Sequence, residues 1–375
     1  MKVTTPASLE SIILEKIDSS ASAWIPFSEY MHLALYHKEY GYYASDSNQF
    51  GVNHDFVTAP EMGPAFATVI GRQLLPLLQA LPNPLIVELG AGSGVLASDL
   101  ISFLTAHECS SFKYEIIDIS QALVKKQKTL LADSPIEVSW NSPIKNLAGH
   151  SCIVIANEFL DALPVDRFIV ENNSPLALGV TSHQGTIGWS KREPDENLIS
   201  YFDKIAKVSS EGFTNGYTSE YYNPYYFKSL EELMKNISGL ALFIDYGLPE
   251  KDYYYRDRSS GTLTCYASHR MHDDPFFSIG LQDITSWVNF TYFSQMMNQF
   301  GWKLNGFTTQ AEFLIHGGID KCIDENIISP NFELLSQIKT LILPGEMGEN
   351  IKVMALEKDL GANYYVPGKS LVSRL

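Results

Sequence analysis

The sequence has little of what several large function classes require. Its four cysteines, Cys109, Cys152, Cys265 and Cys322, are scattered and form no C-x-x-C pair. Neither a disulfide framework nor a zinc site follows, and a reducing compartment is the simple reading. His269 and His272 in "SHRMHDD" make an H-x-x-H pair without a clear third ligand, so no metal is expected. Cations are also short, with 27 Lys and Arg against 43 Asp and Glu and a net charge of −16. Phosphate contacts need clustered Lys and Arg, so nucleic acid is not an expected partner. The acidic balance favours a cationic substrate, although solubility alone also explains it. No apolar run approaches membrane-spanning length, which argues against membrane insertion. The opening "MKVTTPASLESIILEKIDSS" has neither the apolar core of a signal peptide nor the arginines of a transit peptide. A soluble cytoplasmic protein is therefore expected.

What is present begins with "IVELGAGSGVL" at 86–96. The preceding aliphatics are short, β-branched and bounded by Pro84 and Gly90, as in a buried strand. Val95, Leu96, Leu100, Ile101 and Leu104 follow at helical spacing. Between them Gly90, Gly92 and Gly94 make a turn too tight for side chains.

Further along, strands at 84–90, 112–118, 136–140 and 151–159 alternate with helices at 94–106 and 120–131, which predicts βαβ units and a parallel sheet. The stretch from Asp166 to Glu193 breaks the pattern with hairpins turning at Asn-Asn-Ser-Pro and His-Gln-Gly. Helices follow at 196–208 and 228–238, and a strand at 239–247 resumes the sheet. The expected organisation is an N-terminal helical and loop cap over 1–80 and a Rossmann-like core over 81–165 and 238–358. An α+β segment is inserted over 166–237.

A dinucleotide fingerprint needs G-x-G-x-x-G, and Val95 occupies the third-glycine position. That disfavours a nicotinamide cofactor. The pattern present is E-x-G-x-G-x-G, with Glu88 leading and Asp118 closing the second strand, and it resembles the loop of S-adenosylmethionine-dependent methyltransferases. This cofactor carries no phosphate. Its ammonium, sulfonium and ribose hydroxyls all favour nearby acceptors, and Asp118 is placed to accept from the hydroxyls.

Glu158 and Asp161 lie three residues apart just beyond the fourth strand, where open α/β sheets bind ligands. They offer carboxylates to a guanidinium, a planar fork that stays protonated in water. Asp161 serves equally as a cap before Pro164. Asp245 and Tyr246 end a strand at the same sheet edge and read equally as substrate contacts or as a plain strand terminus. His269, His272 and Asp273 read as a substrate loop, with His272 and Asp273 as proton acceptors. The tyrosines over 217–226 and 253–255 fit a substrate groove and ordinary packing alike.

Several strings together resemble the MidA family, which includes the mitochondrial complex I assembly factor acting as a protein arginine methyltransferase. They are "YMHLALYHKEYGYY", "DFVTAPEMGPAF", "VELGAGSG", "ANEFLDALPVDRF", "FIDYG", "HRMHDDPF", "QDITSWVNF" and "PGEMGENIKVMAL". The resemblance implies a class I methyltransferase with a seven-stranded, mostly parallel sheet and S-adenosyl-L-methionine as cofactor. It implies cofactor contacts from Thr58, Pro60, Glu61, Glu88, Gly90, Ala91, Gly92, Gly94, Asp118, Ile119, Asn157 and Glu158. The residues themselves read as catalytic at Glu158, Asp161 and His272, and as substrate contacts at Asp245, Tyr246, His269 and Asp273. A protein substrate follows, a complex I subunit being the family's target, and a homodimer stays open. Two positions depart from the mitochondrial members: Asn157 stands where they carry histidine, and Asn289 where they carry a second acid. A small-molecule methyltransferase and a non-enzymatic assembly factor retaining the cofactor site are the competing functions.

Overall fold

Pro84–Leu89 (β1) has all of its residues buried, as a strand covered on both faces requires. The computed structural model describes residues 8–44, 58–208, 212–267, 270–324 and 332–375. The chain divides into two compact units: Phe50–Leu160, Ser229–Pro249 and Val288–Leu375 make one, and Met1–Gln49, Asp161–Lys228 and Glu250–Trp287 the other.

The first unit is built on one sheet. Its further strands are Lys113–Ile117 (β2), Val138–Trp140 (β3), Ser151–Asn157 (β4), Gly239–Leu248 (β5), Val288–Asn289 (β6), Lys303–Thr309 (β7) and Ile351–Lys358 (β8). The order is β7-β8-β5-β4-β1-β2-β3, with β6 paired to the end of β5, so the sheet has eight strands. The expected seven omits β6, whose two residues carry no readable period. From β5 to β3 every pairing is parallel, while β8 is antiparallel to both of its neighbours. Strand order reverses between β1 and β4, which makes their carboxyl ends a topological switch point.

Helices Ala65–Ala80 (α1), Val95–Ala106 (α2) and Gln121–Leu130 (α3) belong to the same unit. α1 and α2 approach closely at Gly71, where a Cβ would lie 2.4 Å from Phe103 Cδ1. Ser120 caps α3 by accepting from the Leu123 amide at 3.2 Å. The core beneath joins α1 and α2 to the inner residues of β1, β4, β5 and β8, among them Ile86, Ile153, Leu242 and Val353.

In the second unit a five-stranded antiparallel sheet runs Trp24–Ile25, Ser174–His183, Val165–Glu171 and Thr218–Tyr222, with Thr186–Arg192 paired to Ser174–His183. Its hairpins turn at Asn172-Asn173 and Gln184-Gly185, all at positive φ, as two-residue loops of this kind prefer. Arg167 and Glu220 pair at 2.9 Å in the interior, where the second Glu220 oxygen accepts from the Thr262 amide at 2.8 Å. Tyr217, Tyr253 and Tyr254 are buried with Phe168, which makes them packing residues instead of groove walls, while Tyr225 and Tyr255 are exposed.

This division differs from the expected one. α1 packs with the sheet unit and not in a cap, because its apolar residues lie against α2. Residues 250–287, expected in the core, carry a separate antiparallel sheet of Arg270–His272, Thr264–Ala267 and Asp283–Thr285. Strands of three or four residues are too short to announce themselves by alternation. Trp24–Ile25 pairs with Ser174–His183, so the N-terminal stretch and the inserted hairpins share one unit. No helix among the described residues is long and apolar enough to cross a membrane.

Candidate active site

The carboxyl ends of β1, β2, β4 and β5 carry Glu88, Asp118, Asn157-Glu158 and Asp245-Tyr246 on one sheet edge. Register brings them together: Leu89 lies opposite Ile117 on one side and Ala156 on the other, and Ile244 lies opposite Asn157.

After β1 the chain turns through Gly90, Gly92 and Gly94 at φ +64, +53 and +89, values that side chains on L-residues resist. Gly90 donates to Ile117 O at 2.9 Å, and Gly94 donates to Ala91 O at 2.8 Å before α2 begins. A Cβ on Gly90 would sit 2.9 Å from Phe159 Cδ2. The turn therefore needs glycine both for its conformation and for room beside the segment after β4.

Two buried carboxylates flank this turn. Glu88 is buried and accepts from the Tyr114 hydroxyl at 2.7 Å. Burial and, to a lesser degree, the charge of Asp118 raise its pKa from 4.5 to about 7, against the opposing Tyr114 hydrogen bond. Asp118 accepts from the Ser120 amide and from Gln127 Nε2, each at 2.9 Å, and burial raises its pKa as well. Asn141 brackets the Asp118 backbone, accepting from its N–H at 3.0 Å and donating to its carbonyl at 2.8 Å. Ile119 beside it is 68% exposed.

Glu158 sits at φ +47, a left-handed conformation uncommon outside glycine, and its amide donates to Ile244 O at 2.8 Å. Its Oε1 accepts from the Ala59 amide at 3.2 Å and from Asn157 Nδ2 at 3.1 Å. Asn157 Oδ1 is buried without a hydrogen-bond partner among the described residues. Thr58 and Pro60 are buried beside Ala59, and Glu61 accepts from the Ser93 hydroxyl within the glycine turn. Glu158 thus combines a sparsely populated backbone conformation with an orphaned acceptor on the residue before it.

Asp245 is fully buried and its Oδ2 accepts from the amides of Phe159 at 3.0 Å and Leu160 at 2.7 Å. That oxygen holds the turn after β4, its two converging backbone donors leaving it no room for a ligand. Tyr246 is partly buried against the core. Asp161 is buried in the second unit, its carbonyl accepting from the Ser286 amide at 2.9 Å. His272 belongs to that unit too; its Nδ1 accepts from the Asp274 amide at 3.3 Å, and its Nε2 is buried without a partner among the described residues. Asp273 is exposed. His269 and residues 55–57, which open the "DFVTAPE" block, lie outside the described residues. Asn289 accepts from the Tyr292 amide at 3.1 Å and caps the helix Phe290–Asn298, so the amide found here does the work of a buried N-cap.

Sequence reasoning missed Tyr114, Asn141 and Gln127. Gln127 alone carried a signal, being spaced to share the inward face of α3 with Leu123 and Val124.

The groups at this edge suit a cofactor that is cationic and rich in hydroxyls. Glu88, Asp118, Glu158 and Asn157 Oδ1 are all acceptors, and the glycine turn keeps the space free of Cβ atoms. The Glu88 shift has a measurable consequence. The folded state retains a proton that the unfolded chain has lost between pH 4.5 and 7. Glu88 therefore lowers stability progressively as pH rises through that window, by ~3 kcal/mol in all. A cation bound at the tip of β1 favours the carboxylate and expels that proton. At pH 6, calorimetric binding enthalpies of S-adenosylhomocysteine in buffers of different ionisation heat are expected to report release of nearly one proton, and Glu88→Gln should abolish most of it.

Comparison with known proteins agrees with this geometry. Residues 69–308 match the family model described as "Putative S-adenosyl-L-methionine-dependent methyltransferase". A protein from Burkholderia thailandensis, solved with S-adenosyl-homocysteine bound, is 31% identical with a TM-score of 0.86, over 95% of this chain and 93% of that one. The bovine protein named protein arginine methyltransferase NDUFAF7, mitochondrial, is 26% identical over 92% of this chain and 82% of its own length. Its Drosophila melanogaster homologue is 23% identical over 88% of this chain and 81% of its own. These relatives are named as mitochondrial proteins, which overturns the cytoplasmic expectation; the N-terminal residues on which it rested do not settle a compartment.

Proposed function

Since the chain belongs to the MidA family of S-adenosylmethionine-dependent methyltransferases, we propose that its methyl acceptor is an arginine of a partner protein. When bound, the cofactor supplies an electrophilic methyl group on a sulfonium. What the protein adds is alignment of the acceptor and management of its charge.

The observation that carries the arginine assignment is Glu158, a carboxylate fixed at the tip of β4 by Ala59, Asn157 and a left-handed backbone. A guanidinium is best held by such a group. Drawing its positive charge toward one nitrogen leaves the other more nucleophilic. Relatives named as protein arginine methyltransferases, matched over most of this chain, support the same acceptor. Glu158 alone carries the catalytic step in this reading; Asp161 and His272 are given none.

For the cofactor, Gly90, Ala91, Gly92 and Gly94 give room for its backbone-facing side, with Thr58, Pro60 and Glu61 closing over it. Glu88 suits its ammonium and Asp118 its ribose hydroxyls. Ile119 offers an exposed apolar surface to its base, and Asn157 an acceptor. The sheet order, five parallel strands followed by one antiparallel strand, supports the class I type. Incubation with labelled S-adenosylmethionine and candidate polypeptides, a respiratory complex I subunit first, should deposit label on arginine as read by mass spectrometry. Label confined to other residues or to small molecules overturns the proposal.

A further inference from the structure

Gln127 is fully buried on α3, yet its side-chain amide is used at both ends. Nε2 donates to Gly92 O at 2.9 Å and to Asp118 Oδ2 at 2.9 Å, spending both amide hydrogens. Oε1 accepts from Trp140 Nε1 at 3.2 Å. One side chain thus joins the glycine turn after β1, the acid that ends β2 and the last residue of β3. Its Cγ would lie 3.2 Å from a Cβ on Gly94, so it also packs against the turn.

We infer that Gln127 is a positioning residue that sets cofactor affinity by locking the Asp118 carboxylate against the glycine turn. The inference rests on the reading of Asp118 as the acceptor of the cofactor's hydroxyls. A carboxylate serves two hydroxyls well only when its plane is fixed beforehand, since orientation left free must be lost on binding. Ser120 fixes one Asp118 oxygen from its own chain neighbourhood. Gln127 fixes the other from across the turn and ties it to Gly92, so that turn and acid move as one piece. A neutral amide suits this task. It satisfies the Gly92 carbonyl without placing a cation beside Asp118 that would compete with a ligand for it.

Two variants test this. Gln127→Met keeps the volume and removes the hydrogen bonds. Gln127→Glu keeps the shape and the bond from Trp140 but sets a second carboxyl against Asp118. The probe is S-adenosylhomocysteine, titrated calorimetrically into the full-length wild type and each variant, with S-adenosylmethionine KM and kcat measured alongside. Gln127→Met is expected to weaken binding and raise the cofactor KM by about tenfold or more, with kcat at saturation within about threefold. For Gln127→Glu the ratio of variant to wild-type Kd is expected to be large at pH 8 and to shrink toward pH 6. Protonation removes the repulsion and restores a donor to Asp118, a recovery that a purely structural role would not show. Binding within twofold of wild type in both variants, a ratio independent of pH in Gln127→Glu, or a loss confined to kcat overturns the inference. Wild type that fails to bind S-adenosylhomocysteine overturns the cofactor reading itself, and this with it.

Discussion

Replacing Glu158 with glutamine is expected to lower kcat/KM for an arginine-bearing substrate by about 10²–10³-fold, equivalent to ~3–4 kcal/mol of transition-state stabilisation. The substitution is nearly isosteric. Its amide oxygen can still accept from Ala59 and Asn157, which meet Oε1 in the native protein at 3.2 and 3.1 Å. The local turn and its left-handed backbone are therefore kept, and what is removed is the charge. If Glu158 holds the guanidinium, the loss should appear mainly in steps involving the acceptor, and S-adenosylhomocysteine affinity should change by only a few fold. A variant with unchanged turnover would assign the role to another group. A variant that loses cofactor affinity and activity together would make Glu158 a cofactor ligand first. The same substitution separates enzyme from assembly factor, because a purely structural function would survive it in cells.

The parts of this protein legible in the sequence are those in which one local pattern determines the outcome. The glycine turn is such a case: alternate glycines after a buried strand leave few conformations, and the structure places three left-handed residues there. The hairpin at Asn172-Asn173 is another, since paired positive φ angles select those residue types. Asp118 and Glu158 are legible because strand ends in an alternating α/β pattern fall on one edge.

What escapes depends on contacts distant in sequence. Asp245 reads as a substrate contact or a plain strand terminus, but its Oδ2 accepts from the amides of Phe159 and Leu160, more than eighty residues away. Asn141 follows a three-residue strand whose register with β2 no period reveals. The short sheet of 264–285 and the assignment of α1 to the sheet unit escape for the same reason. Tertiary packing, and no local propensity, decides where such segments lie.

The second large effect follows from Asp245. Asp245→Ala removes the carboxylate that accepts from the Phe159 and Leu160 amides at 3.0 and 2.7 Å, deep enough that water cannot replace it. Each buried donor left unmet costs about 1–3 kcal/mol, so the variant should lose ~3–5 kcal/mol of stability. The melting temperature of the sheet unit should fall by about 6–20 °C. Activity should fall further than the folded fraction does. Glu158 begins the same turn, its own amide bonded to Ile244 O next to Asp245, and Phe159 packs where a Cβ on Gly90 would be. Release of the two amides lets Phe159 drift toward the glycine turn and swings Glu158 off its two donors. Asp245→Asn is the control, since its amide oxygen can still accept both bonds; it should recover most of the stability and much of the turnover. Circular dichroism melts set against turnover at a temperature where every variant is folded will separate the two losses. Equal damage from asparagine and alanine would mean that the negative charge, and not the pair of hydrogen bonds, holds the turn.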